Sequence, residues 1–324
     1  MNKSMKKLVS LAVSTVILIV IYTRIDFGGL VDVFRECDRL WMVISLGMVI
    51  PITFFSGWRL RQVVPKQVSL GLWEANKLIL AASVLNMVLP SKMGDIAKAY
   101  FMRDQSNITG SLALSIVVFE KACDFLSLLL WCAFGLVLFP VKDAFFVAMT
   151  VAIVAGFTVG TFVLFSQRIA TLFFSMVRRI VPGKVGEKVG VLEGAWGEIQ
   201  DYFWSDRTQL FIIAVTSIFI WLLHLLQIWF FILALNAWVN PITNLALSPL
   251  AILAGLLPLT FAGVGTRDAA LIMLYQPYFS AATGAALGLL CTSRYLLPAI
   301  GGLPFLSQYL TRLNRQKTEA TINQ

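Results

Sequence analysis

Apolar residues in this chain occur in long runs that short polar segments separate. A helix needs about 20 such residues to cross the hydrocarbon of a bilayer, whereas the strands of a membrane barrel would alternate apolar and polar positions. The pattern therefore predicts an all-α polytopic membrane protein. We interpret six runs as full spans: 8–22, 40–58, 111–139, 143–165, 209–235 and 281–306.

Two other apolar runs are interrupted. The sequence LPSKMGD at residues 89–95 ends the first, and LPLTFAGVGTRD at residues 257–268 ends the second. Each has Leu-Pro, then glycine, then a basic and an acidic residue close together. Lipid cannot satisfy the backbone of a broken helix, so such breaks must be buried in protein or line a wet cavity. We predict two re-entrant hairpins, at residues 73–104 and 246–279.

The segments between the spans give further expectations. Pro51 should kink the second span, because proline removes a helical hydrogen bond. Residues 24–39 mix charged and apolar positions as a short interfacial helix does, and the polar loop 167–208 should form an amphipathic helix after Lys188. Residues 236–243 are expected to be a loop and 307–324 a disordered cytoplasmic tail.

Composition agrees with a membrane protein. Hydrophobic residues make up 58% of the chain and charged residues 13%, with a mean hydropathy of +0.82, which excludes an ordinary soluble domain. The net charge of +9 could suggest nucleic acid, but the basic residues lie between the apolar runs. Four cysteines without paired spacing and a single histidine argue against a disulfide framework or a metal centre. No cofactor and no nucleic-acid partner are predicted.

The basic residues also predict the topology. With the N- and C-termini in the cytoplasm and both hairpins re-entrant, 19 of the 26 basic residues lie on the cytoplasmic face and five on the outer face. If the first hairpin crossed fully, the loop 167–208 would move outside with its six basic residues. The re-entrant arrangement fits the positive-inside rule better.

Each half of the chain then holds three full spans and one hairpin, in residues 1–139 and 140–306. Because three is odd, the second half is inverted relative to the first. The two hairpins should enter from opposite faces and meet near the midplane, as alternating access requires. We therefore predict an inverted repeat.

Four charged residues, Glu120, Lys121, Asp124 and Arg294, lie near the middle of predicted spans, with Lys121 on a face next to that of Glu120 and Asp124. Glu120 and Asp124 share one helix face at i,i+4, and Arg294 lies in the sixth span, the counterpart of the third. An isolated charge at that depth costs at least ~2.5–3.5 kcal/mol, so these groups should be paired or wetted. They either form a structural network, such as Arg294 with Glu120 or Asp124, or line a path for a lipid headgroup.

The interruptions carry the remaining candidates. Lys92, Asp95 and Lys98 lie at the first one, and Arg267 and Asp268 at the second. The start of a helix together with a cation favours an anion such as phosphate. For Lys98 the alternative is an ordinary basic residue at the cytoplasmic surface.

Three sequences resemble one family, that of the lysylphosphatidylglycerol synthase transmembrane region. LPSKMGDIAK at 89–98, EKACD at 120–124 and PLTFAGVGTRD at 258–268 are similar to its motifs, in the same order. The chain departs from the family pattern where lysine replaces arginine, aspartate replaces glutamate and alanine replaces glycine. Lysine keeps the charge but loses the two-pronged contact to phosphate, which leaves the headgroup open. These positions are Lys92, Lys98, Lys121, Asp268 and Ala262.

The resemblance implies a membrane domain that translocates lipids, and a homodimer. Known members are similar in this region and add a cytoplasmic aminoacyl-transferase domain, for which this chain has no room after Leu306. We expect a stand-alone module of the bacterial cytoplasmic membrane that is not an enzyme, since Walker, dinucleotide and nucleophile-elbow sequences are missing. The favoured function is transport of a phosphate-bearing lipid between leaflets. A non-transporting partner of a membrane transferase, and an enzyme acting on a headgroup, are the alternatives.

Overall fold

The computed structural model describes residues 27–65, 70–88, 94–106, 108–138, 144–180, 184–256 and 265–322. Every regular element in these ranges is an α-helix, which confirms the predicted fold class. In chain order the helices are α1 Phe27–Arg35, α2 Arg39–Gly47, α3 Val49–Val63, α4 Leu72–Val88, α5 Gly94–Ser106, α6 Gly110–Leu138, α7 Ala144–Phe165, α8 Gln167–Ile180, α9 Lys184–Ser205, α10 Arg207–Ala234, α11 Pro241–Gly255, α12 Thr266–Tyr275 and α13 Ala281–Ile322.

Within the described residues, five helical segments are long and apolar enough to cross a membrane. They coincide with five of the six predicted spans. The remaining predicted span, 8–22, lies outside the described residues, so the total of six stays a prediction. The five segments are Arg39–Val63, Gly110–Leu138, Phe146–Leu164, Arg207–Ala234 and Ala281–Thr311.

The segment Arg39–Val63 is divided at Met48, where α2 ends and α3 begins. Pro51 lies one turn beyond the division and has no N–H to donate to the carbonyl oxygen of Gly47. The helix therefore breaks where the sequence predicts a kink. At its other end the prediction was too short, because α3 continues past Trp58 to Val63 and buries Leu60 and Val63.

Each predicted hairpin contains two helices that pack on each other: α4 on α5, and α11 on α12. We call these the first and second interrupted pairs. The residues between their arms, 89–93 and 257–264, lie outside the described part of the chain. Gly94 opens α5 directly against the backbone of α4, where an added Cβ would lie 2.4 Å from the carbonyl oxygen of Ala82. The pairing is observed; entry and exit on one membrane face stay a prediction.

The second pair begins earlier than predicted. Helix α11 starts at Pro241, because Asn240 caps it by accepting a hydrogen bond from the N–H of Ile242 and proline is well suited to the first helical position. The expected loop 236–243 is therefore shorter. The last helix is longer than predicted: α13 continues to Ile322, and Tyr309 packs its ring on Phe101. The expectation of a disordered tail from residue 307 was wrong.

The polar segment 167–208 contains two helices that contact each other, α8 and α9. The helix expected after Lys188 is α9, which begins at Lys184; α8 was not predicted. Trp196 of α9 is buried between Phe174 of α8 and Phe119 of α6, at ring-centroid distances of 5.7 and 6.0 Å. Through these three rings, α8 and α9 pack onto the same apolar core as α6.

The chain forms two compact units, each with its own apolar core. The Arg267 unit comprises Met1–Ile52, Asp124–Gly160 and Ser217–Arg294, and it contains the second interrupted pair. The Glu120 unit comprises Thr53–Cys123, Thr161–Thr216 and Tyr295–Gln324, and it contains the first interrupted pair. The predicted division of the chain near residue 139 stays a prediction.

Candidate functional site

Glu120 is the centre of a buried ion cluster in the Glu120 unit. Its Oε1 accepts a hydrogen bond from Nη2 of Arg59 at 3.1 Å, and its Oε2 accepts one from Nζ of Lys98. The three side chains come from α6, α3 and α5, and each exposes 2% or less of its surface. One carboxylate therefore holds two cations, and one of them belongs to the first interrupted pair.

The cluster extends from Lys98 toward a more exposed end. Nζ of Lys98 lies 4.0 Å from Oδ1 of Asp95, and Oδ2 of Asp95 lies 3.3 Å from Nζ of Lys121. Asp95 exposes 14% of its side chain and Lys121 exposes 46%. Cations and carboxylates thus alternate along the cluster, from the buried Arg59 to the half-exposed Lys121.

Burial makes this pairing necessary. Removing an ionised side chain from water costs several kcal/mol, which attraction offsets only if the partners are close and hydrogen-bonded. Lys98 and Glu120 meet that condition together with Arg59. Lys98 is therefore a buried residue of the cluster, and the alternative of an ordinary surface lysine was wrong.

The cluster has five charged residues, and the sequence analysis predicts three of them as site residues: Asp95, Lys98 and Glu120. Arg59 is absent from the predicted site, because the predicted second span ends at Trp58. The apolar positions Leu60, Val63 and Val64 continue the helix and could have revealed this. Lys121 is not among the predicted site residues. Lys92 is among them and lies outside the described residues.

The second interrupted pair carries a different arrangement. Arg267 donates from Nε and Nη2 to Oδ1 of Asp268 at 2.9 and 2.6 Å. The same guanidinium donates to the carbonyl oxygen of Gly288 at 3.0 Å and to Oγ1 of Thr292 at 2.7 Å. Both charged side chains are buried. Arg267 therefore clasps the start of α12 to α13, and we call these four residues the Arg267 clasp.

Two glycines make the clasp possible. Gly265 precedes α12 with a φ of 101°, in the left-handed region that favours glycine, and its N–H donates to Oδ2 of Asp268 at 3.1 Å. Gly288 leaves room on α13, because a Cβ there would lie 3.0 Å from the carboxylate of Asp268. Gly265 provides the backbone conformation that leads into α12, and Gly288 leaves the space that the carboxylate of Asp268 occupies.

Two other predicted site residues belong to the Arg267 unit. Arg294 is buried on α13 and, with Arg267 and Asp268, lies close enough to Cys291 to interact with it electrostatically. Asp124 is half-buried on α6, and the boundary between the units falls between it and Glu120. The pairing of Arg294 with Glu120 or Asp124 stays a prediction.

The second pair also contains a neutral polar network that the sequence did not indicate. Oδ1 of Asn244 accepts hydrogen bonds from Ser248 and from Tyr275, both at 2.9 Å, and its amide donates to the carbonyl oxygen of Leu225 at 2.9 Å. All three polar side chains are buried. The network joins α11 and α12 to α10, and its mutual satisfaction indicates a structural role.

The part of the chain that the structure describes offers no group of three His, Cys, Asp or Glu side chains that could hold a metal ion. Its chemistry is that of cations held by carboxylates at the beginnings of α5 and α12.

The fold and these sites define a multi-pass helical membrane domain with two interrupted helix pairs. Comparison with protein families places it more closely: the family described as the lysylphosphatidylglycerol synthase TM region matches residues 7–318. The chain belongs to this family, and the resemblance drawn from its three motifs is confirmed. The match is to the transmembrane region, the membrane part of those synthases. No curated protein matches the chain.

Proposed function

We propose that this protein moves a phosphate-bearing lipid between the leaflets of the bacterial cytoplasmic membrane. The lipid would be a phospholipid, an aminoacyl-phospholipid or a polyprenyl-phosphate-linked lipid. One observation carries the proposal: within its first five residues, the second arm of each interrupted pair has a buried cation that a carboxylate holds. These cations are Lys98 in α5 and Arg267 in α12.

The Glu120 cluster is the better candidate for headgroup binding, because it has an accessible end. Lys121 exposes nearly half of its side chain and is held at 3.3 Å by Asp95, which also lies near Lys98. A phosphate that reaches Lys121 competes with Asp95 for two cations. The carboxylate keeps the site neutralised when it is empty and is displaced when the anion arrives.

The Arg267 clasp has the complementary character. Its guanidinium already contacts a carboxylate, a hydroxyl and backbone carbonyls, and both charged residues are buried. Arg267 binds phosphate only if α12 moves away from α13. We therefore assign the clasp to a closed state of the second pair, with the cation available after opening.

The two pairs are also held alike, which supports an inverted repeat. In the Glu120 unit, the first arm α4 contacts α13, where a Cβ on Gly302 would lie 2.1 Å from the carbonyl oxygen of Leu80. In the Arg267 unit, the first arm α11 contacts α6, where a Cβ on Gly135 would lie 2.2 Å from the carbonyl oxygen of Ala246. Since α6 and α13 are the third and sixth predicted spans, these contacts are equivalent under the repeat.

The test is reconstitution of the purified protein into liposomes with a fluorescent lipid that an impermeant reductant can quench. We expect the protected inner-leaflet fraction to be lost for phosphate-bearing lipids and retained for a glucosyl-diacylglycerol analogue, whose polar sugar headgroup lacks phosphate and opposes spontaneous crossing. Folded protein that moves neither lipid would overturn the proposal and favour the non-transporting partner of a transferase. Equal movement of both lipids would overturn the phosphate site.

Two lysines of the Glu120 unit give a matched pair of variants. Lys121→Gln removes the accessible cation and should lower transport at least about tenfold, the factor that ~1.4 kcal/mol of lost interaction produces. Lys77→Gln removes a lysine that is paired with Glu74 at 2.8 Å outside the cluster, and it should transport normally. A similar loss in both variants would contradict the assignment.

A further inference from the structure

Helix α8 has two distinct apolar surfaces. Ala170 and Phe174 are buried, and Phe174 contacts Trp196 of α9. The neighbouring positions Leu172, Phe173 and Met176 expose 67%, 43% and 67% of their surfaces. Only one edge of the apolar face of α8 therefore packs against the rest of the Glu120 unit. We call the exposed remainder the α8 strip.

The chain places this strip at the end of a predicted span whose surface the described residues leave largely uncovered. Only Ser166 separates α8 from α7, whose most apolar window is 6% buried in the protein. Nε2 of Gln200 on α9 donates to the carbonyl oxygens of Val163 and Leu164 in the last turn of α7, at 2.9 Å each. Since α9 packs on α8, this contact fixes α8 beside the membrane end of α7.

The charges of α8 identify the surface that covers the strip. The helix has three arginines and no acidic residue. All three arginines are exposed. Arg168 and Arg179 border the strip on the helical wheel, whereas Nη1 of Arg178 lies 3.4 Å from the position that a Cβ on Gly190 of α9 would take. A basic helix with an apolar strip fits the headgroups and acyl chains of an anionic bilayer. A second copy would oppose it with the same positive charge.

We propose that α8 is an interfacial helix that binds the surface of an anionic leaflet. Leu172, Phe173 and Met176 enter the acyl region, and Arg168 and Arg179 contact lipid phosphates. The helix therefore makes the packing of the Glu120 unit sensitive to the lipid charge of its leaflet. This inference does not depend on lipid transport.

The first test measures the depth of single residues. A nitroxide is attached to Met176→Cys or to Thr171→Cys, an exposed position on the polar side of α8, in the full chain with Cys37→Ser. In bilayers of phosphatidylcholine with phosphatidylglycerol, the label at 176 should lie about 5–10 Å below the headgroups and collide with oxygen. The label at 171 should collide with a water-soluble nickel reagent. Equal exposure of both labels to nickel would overturn the proposal.

The second test changes the charge. In phosphatidylcholine alone the label at 176 should become shallower, and Arg168→Gln with Arg179→Gln should abolish the difference between the two lipid mixtures. The control Arg61→Gln with Arg207→Gln removes two exposed arginines from the same unit and should keep the difference. Equal depth in both lipid mixtures would overturn the anionic leaflet as the partner. Spin–spin broadening at 176 would instead identify a second copy and overturn the lipid assignment.

Discussion

Individual side chains in this protein are held by close charge pairs that burial makes costly to disturb. Glu120 binds Arg59 and Lys98, and Asp268 binds Arg267, with these five groups nearly inaccessible. A buried ion left without its partner is more destabilising than the pair itself is stabilising. At this scale, the residues of the proposed lipid site are also residues on which stability depends.

The first prediction concerns Glu120→Gln. The amide cannot neutralise the two buried cations, so we expect a loss of about 3–5 kcal/mol in the free energy of unfolding. A lowered midpoint of thermal unfolding in detergent measures this. Lys121→Gln, at the exposed end of the cluster, should change stability by ~1 kcal/mol or less. Equal losses in the two variants would refute the central role of Glu120.

A double-mutant cycle tests the pairing itself. Lys98→Met combined with Glu120→Gln should cost less than the sum of the two single changes, by about 0.5–3 kcal/mol, because the second change no longer strands a charge. The same unfolding assay provides all four values. Additive losses would show that Lys98 and Glu120 do not stabilise each other.

Gly265 gives a prediction about the backbone. Its φ of 101° is unfavourable for any side chain, so Gly265→Ala should cost about 1–3 kcal/mol and loosen the Arg267 clasp. Gly197→Ala is the control, because that helical glycine has open space around its missing Cβ and alanine is the better helix former. Thermal unfolding of both variants compares them, and an unaltered midpoint for Gly265→Ala would contradict the assignment.

At the scale of helices, the interrupted pairs are positioned by glycine contacts with long spans. Without a hydrophobic force between helices in lipid, association depends on close packing, which small residues permit. Gly135 lets α6 pack against the backbone carbonyl of Ala246 in the first arm α11. Gly302 lets α13 pack against the backbone carbonyl of Leu80 in the first arm α4. The arms of each pair thus depend on helices distant in sequence.

Adjacent glycines in α13 make this testable. Gly302→Ala would place a Cβ 2.1 Å from the carbonyl oxygen of Leu80, so the helices must separate, and we expect a loss of about 1–3 kcal/mol. Gly301→Ala points into open space and should not destabilise the protein. Unfolding in detergent distinguishes them. The contact is unimportant if both variants unfold at the wild-type temperature.

At the scale of the whole molecule, the chain is a multi-pass membrane protein of the lysylphosphatidylglycerol synthase TM region family. It has two compact units, each with one interrupted pair and one apolar core. The proposed orientation rests on basic residues, because Lys and Arg are retained on the cytoplasmic side of membranes. This arrangement makes a prediction that does not depend on the transported lipid.

Cys37 should react with a membrane-impermeant maleimide applied to intact cells, because the topology places residues 24–39 outside. A cysteine introduced at Lys188, in a chain with Cys37→Ser, should react only after the cells are opened. Mass-tag labelling on gels measures both. Labelling of the 188 variant from outside would show that the predicted orientation is inverted. Each interrupted pair would then enter the membrane from the face opposite to the predicted one.

The sequence by itself determined the helical membrane class, five of the spans, the positions of both interruptions and the family. These properties follow from local apolar content, proline and glycine, so they are readable along the chain. The cap formed by Asn240 before Pro241, and the apolar positions of α3 and α8, are local features of the same kind and can also be recognised in the sequence.

Only the tertiary structure decided which charges meet. Glu120 and Lys98 are separated by 22 residues and Glu120 and Arg59 by 61, and no local pattern selects one buried partner among many basic residues. The roles of Gly94, Gly135 and Gly302 are likewise set by a carbonyl from another helix. Long-range packing fixes these choices, because the low-dielectric interior makes each cation depend on whichever carboxylate the fold brings within reach.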